Sequence, residues 1–145
     1  MKRLIFTTLL LAACTPQGLD AMEVAANIDQ HLGQRLTVRG KFKSGARCRI
    51  GEDGEWKTYC KDCQYCRGPL VLDVGVTKTS TSGEVIEDWP LVLGGVWEGK
   101  DIRCKGPLNQ IECWPLVPGK TYVVQGFVET HQPPKLIVRE FWEVD

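Results

Sequence analysis

Cys60, Cys63 and Cys66 stand three residues apart in the stretch KTYCKDCQYCRG, residues 57–68. Thiols at that spacing suit a metal–thiolate site, a redox pair or part of a disulfide framework. A zinc site needs a fourth ligand, and no second C-x-x-C or nearby His supplies it; Cys104 and Cys113 lie far along the chain and nine apart. Other residue types offer less. The two histidines are His31, inside a helical pattern, and His131, in the turn-like THQPPK; there is no G-x-S-x-G elbow and no glycine-rich loop before a helix. Pairing His131 with Cys104 or Cys113 as a nucleophile would require a reduced thiol. Glu84, Glu87 and Asp88 follow the run Thr79–Gly83, a composition that reads as a solvated loop. No catalytic residues, metal or cofactor are expected.

Which thiol chemistry applies depends on compartment, and the first fourteen residues, MKRLIFTTLLLAAC, bear on that. Lys2 and Arg3 precede a mostly apolar run from Leu4 to Ala13, too short to span a bilayer as a helix and suited to a secretion signal. Leu11-Ala12-Ala13-Cys14 resembles the lipobox of bacterial lipoproteins. The resemblance implies a signal peptide over residues 1–13, cleavage before Cys14, a diacylglyceryl (palmitate-bearing) thioether on Cys14, and a lipidated tether over residues 14–19. Thr15 stands where an aspartate holds many lipoproteins at the inner membrane, which implies the outer membrane of a cell envelope.

Assigning Cys14 to the anchor leaves six of the seven cysteines, an even number in an exported chain, so a disulfide framework of Cys48, Cys60, Cys63, Cys66, Cys104 and Cys113 is expected. Cys104 and Cys113 flank KGPLNQIE, whose Gly-Pro and Asn suit a hairpin loop, and are expected to pair. Cys48 and Cys60 flank a second turn sequence, which would leave Cys63 with Cys66; Cys48–Cys63 with Cys60–Cys66 is a close alternative. The competing class is a thiol-active protein, redox or metal-binding, using Cys60, Cys63 and Cys66.

The elements that must position these residues follow from periodicity. Residues 14–145 suffice for one domain with a real core. Losing Lys2 and Arg3 from 18 basic residues leaves 16 against 18 acidic ones, a balance that argues against a nucleic-acid partner. Asp20-Ala-Met-Glu23 resembles a capping box, Val24, Ile28 and Leu32 recur every four residues, and Gly33 sits at a C-cap position, predicting a helix of about three turns. In GQRLTVRGKF, Leu36, Val38 and Phe42 alternate with Arg35, Thr37, Arg39 and Lys41, a half-buried strand with a basic outer face. GKTYVVQGFV repeats this layout, and the mid-strand Gly40 and Gly126 suit bulges or sharp coiling. Short Gly/Pro-punctuated segments lie between, and KLIVREFWEV closes the chain. One helix, five to seven strands and no βαβ rhythm make the chain mainly β.

The leading helix, the first strand ending V-x-G-x-F, Pro118-Gly-Lys-x-Tyr-x-Val-x-Gly-x-Val128 and the L-x-V-x-x-x-x-x-V finish resemble the OB-fold domains of bacterial envelope proteins, including the tRNA-anticodon-like group. The resemblance covers residues 20–43 and 118–144 and implies, over residues 20–145, a small Greek-key barrel with a disulfide-rich middle insertion, binding oligonucleotides, oligosaccharides or proteins on one face. Trp56, Tyr59, Tyr65, Trp89, Trp97 and Trp114 all fall in the middle, as rings that stack on ligands or as packing around disulfides. Trp97, among Gly and charged residues in GGVWEGKD, is the ring expected to be exposed. The expectation is a lipid-anchored, non-catalytic binding or structural module with Arg39, Lys41, Trp56 and Trp97 as ligand-binding residues. Its partner would be an envelope protein or an oligosaccharide, not a nucleic acid.

Overall fold

The computed structural model describes residues 17–49, 56–57, 65–75, 78–79, 85–86, 91–107, 109–130 and 134–144, of which 48–49, 56–57, 78–79 and 85–86 by backbone alone. Cys14, Cys60 and Cys63 lie outside the described residues, as does the side chain of Trp56.

After a helix α1 (Ala21–Ala26) the main strands, in chain order, are β1 (Arg35–Ser44), β2 (Arg47–Arg49), β3 (Trp56–Lys57), β4 (Cys66–Gly68), β5 (Leu70–Leu72), β6 (Val92–Gly94), β7 (Arg103–Gly106), β8 (Glu112–Trp114), β9 (Thr121–Glu129) and β10 (Lys135–Val144). β1, β9, β10, β6 and β5 pair in that order and β5 pairs back to β1, closing a five-stranded barrel. All neighbours are antiparallel except β6 and β10. This is the OB-like barrel, mainly β, that the ends of the sequence resemble.

The alternation in β1 decides which side faces in. Val38 and Phe42 are fully buried while Arg35, Arg39 and Lys41 are exposed. With Leu70, Leu72, Leu91, Leu93, Val124, Val128 and Leu136 they fill the barrel. Burial of a ring such as Phe42 contributes about 2–3 kcal/mol. Tyr122 carries a hydroxyl into this core and accepts a hydrogen bond from the Val117 amide at 3.0 Å.

Two glycines make close approaches possible. Between Gln125 and Gly126 the β9–β10 register shifts so that Arg139 is the extra residue, which puts the bulge on β10 opposite the glycine rather than in the glycine's own strand, and a Cβ on Gly126 would collide with the Ile137 carbonyl oxygen. A Cβ on Gly40 would lie 2.8 Å from the Ala21 Cβ, so the missing side chain lets α1 dock against the barrel.

The helix is shorter than its periodicity suggests. Asp20 caps it, its Oδ1 accepting from the amides of Met22 at 2.9 Å and Glu23 at 3.1 Å. The α-helix ends at Ala26, and Ile28–His31 continue as a 3-10 turn. At Asn27 the backbone leaves helical geometry, with φ −125° and ψ 30°, while its side-chain amide donates to the Glu23 carbonyl and its N–H to the Val24 carbonyl. A short polar side chain that bonds local backbone competes with helix propagation. Among the described residues no helix is long and apolar enough to cross a membrane.

Candidate functional site

The middle of the chain folds into a second antiparallel sheet, in the order β8-β7-β4-β2-β3. β2, β3 and β4 belong to the long connection between barrel strands β1 and β5, whereas β7 and β8 come from the connection between β6 and β9. Two insertions separated in sequence thus pair along β4 and β7, with Cys104 opposite Gly68 and Gly106 opposite Cys66.

Cys66, Cys104 and Cys113 take inner positions of this sheet. Cys66 and Cys104 are fully buried. Cys104 and Cys113 face each other across the β7–β8 hairpin and are joined by a disulfide, with 3.9 Å between their Cα atoms. Cys66 is also disulfide-bonded. It packs against Ala46 and Ile111, so it is not an accessible thiol of the kind the redox or metal reading requires. Among the described residues no group of three His, Cys, Asp or Glu side chains could hold a metal ion.

Because strand side chains alternate, inward cysteines send their neighbours outward. Register sets Arg47 opposite Arg67, Arg67 opposite Lys105 and Lys105 opposite Glu112, one continuous row across four strands. Arg103 and Trp114 form the next row. Arg67, Arg103 and Lys105 are exposed and Arg47 is half-buried.

Open grooves lie on either side of Arg103. The first, about 670 Å³, runs between the barrel and the second sheet, bordered by Arg47, Arg67, Arg103, Lys135, Glu129 and β6. Its walls come from the connection after β1, from β6 and the segment that follows it through Arg103, and from both ends of the β9–β10 turn. The second, about 1180 Å³, is bordered by Tyr65, Lys100, Arg103, Lys105, Glu112 and Trp114. Asp101 belongs to both and lies 4.0 Å from the Arg103 guanidinium. Lys100 Nζ sits 4.8 Å above the Trp114 ring, and Tyr65 is 49% exposed.

The residues expected to bind ligand fare differently. Arg39 and Lys41 are exposed on the outer side of β1, opposite Val123 and Thr121 of β9, and border neither groove. Trp97 is not the exposed ring its neighbours suggested. The turn at Glu98–Gly99, both at positive φ, folds its short strand back so that the indole packs on Phe141, with ring centroids 4.7 Å apart, and against the barrel core. Arg47, Arg67, Arg103 and Lys105, among the cations that border the grooves, carry a signal in the sequence: each stands next to a cysteine, and neighbours along a strand point to opposite faces.

Comparison with protein-family models, with curated proteins and with solved structures finds no match for this chain.

Proposed function

We propose that the chain is a lipid-anchored, non-catalytic binding module of a bacterial cell envelope, held at the outer membrane through Cys14. The observation that most supports a binding role is the pair of open grooves sharing Arg103 and Asp101, laid over a barrel and a disulfide-bonded sheet. A cross-linked support holds such side chains in place without a large core. The disulfide-bonded, buried state of Cys66 favours a structural framework over thiol chemistry. The mature charge balance favours envelope proteins or sugars over nucleic acid.

Detergent phase separation and envelope pull-down test both halves. The wild-type protein is expected in the detergent phase and Cys14→Ser in the aqueous or unprocessed fraction; unchanged partition removes the anchor. Arg103→Ala is expected to deplete the captured envelope partner, and full retention of that partner removes the grooves as the binding surface.

A further inference from the structure

We propose that the two grooves and the cation row between them bind an acidic oligosaccharide, a sugar chain carrying carboxylate or phosphate groups. This rests on the binding-module reading and names its ligand.

The row is the first reason. Side chains directly opposite in an antiparallel pair are about 5 Å apart, and like charges there destabilise the sheet. Arg47, Arg67 and Lys105 nonetheless occupy adjacent positions on three strands, with Arg103 two residues before Lys105 on the same face. Arg47 and Arg67 each interact with other groups of the chain. A bound anion bridging Lys105 and Arg103 gains charge-assisted hydrogen bonds from both.

The second reason is what interrupts the cations. Glu112 ends the row, Asp101 lies beside Arg103, and Glu129 borders the first groove. Carboxylates accept hydrogen bonds from sugar hydroxyls and repel a phosphodiester at every step. A nucleic-acid strand needs a groove of one sign tracking successive phosphates; mixed cations and carboxylates suit a hydroxyl-rich polymer with spaced negative groups.

The third is aromatic. Tyr65 stands half exposed at the second groove, on the side of Lys105 and Trp114. Its ring offers a flat apolar surface beside hydrogen-bonding groups, as the C–H face of a sugar ring requires.

Isothermal titration of the full chain in detergent tests this with four probes: an oligogalacturonate, a phosphorylated oligomannoside, an uncharged oligogalactose of matched length and an oligothymidylate. At least one acidic sugar is expected to bind about tenfold or more tightly than the uncharged one. Lys105→Ala and Tyr65→Ala are each expected to weaken it by about fivefold to tenfold. Arg39→Ala is expected to leave it unchanged, and thermal melts check that every variant folds. The two acidic sugars distinguish carboxylate from phosphate recognition. Equal binding of the uncharged sugar, tighter binding of oligothymidylate, indifference to Lys105→Ala, or no binding of either acidic sugar overturns the proposal. If the sugars fail while Arg103→Ala still depletes the pulled-down partner, only the ligand class falls. If the sugars fail and Arg103→Ala also leaves the pulled-down partner fully retained, the grooves fall with it as the binding surface.

Discussion

The indole Nε1 of Trp114 donates a hydrogen bond to the backbone carbonyl of Trp97 at 3.1 Å. That bond ties the last strand of the second sheet to the tight turn beside the barrel, and the Trp97 ring continues the connection by packing on Phe141 of β10. The sheet that presents the grooves is therefore coupled to the barrel core through these two tryptophans.

Trp97→Ala removes a half-buried ring from that junction, so a loss of about 3 kcal/mol is expected by chemical denaturation. An unchanged unfolding midpoint would mean that the ring is not part of the core.

Replacing both Cys104 and Cys113 by serine opens a short loop of sequence separation 9 and leaves Cys104's fully buried position with a hydroxyl. The expected cost is about 2–4 kcal/mol, read from urea unfolding. A variant as stable as the wild type would show that β7 and β8 hold by pairing alone.

Cys48 and Cys66 are Cα partners across β2 and β4, the same relationship that Cys104 bears to Cys113. Peptide mapping of the unreduced protein is expected to give a Cys48–Cys66 peptide beside Cys104–Cys113. Recovery of Cys63–Cys66 instead would show that the tight ring read from the spacing forms in preference to the cross-strand link.

Gly126→Val puts a branched side chain against the Ile137 carbonyl at the β9–β10 bulge. A destabilisation of about 2 kcal/mol or more is expected in thermal or chemical melts. Tolerance of the valine would show that the bulge can relax.

Asp20→Ala leaves the Met22 and Glu23 amides without their side-chain acceptor, and about 1 kcal/mol is the expected loss. Asp20→Asn, which keeps an acceptor at the same position, is expected to recover most of it.

Local order was legible without the tertiary structure wherever neighbouring residues decide it. The Asp20 cap depends on two amides within three residues. The alternation Leu36-x-Val38-x-x-x-Phe42 sets the inner side of β1 whatever strand lies beside it, and KLIVREFWEV spans β10 from end to end. Gly126 marks the place where the register shifts, although the extra residue lies on β10, because only a residue without Cβ fits beside the Ile137 carbonyl. Even the Cys104–Cys113 link follows from a turn sequence between two cysteines on one hairpin.

The site is a different matter, because it depends on contacts between segments remote in the chain. No spacing indicates that the strand at Cys66–Gly68 pairs with the strand at Arg103–Gly106, yet that register aligns Arg67 with Lys105 and opens a groove on each side of Arg103. Exposure of a single ring is equally non-local: Trp97 sits among glycines and charges, and only the turn at Glu98–Gly99 and the arrival of β10 bring it against Phe141. Side-chain direction along a strand is a property of alternation, which the sequence holds. Which strands stand beside it, and hence which charges gather, is set by long-range pairing whose free energy is spread over the whole core.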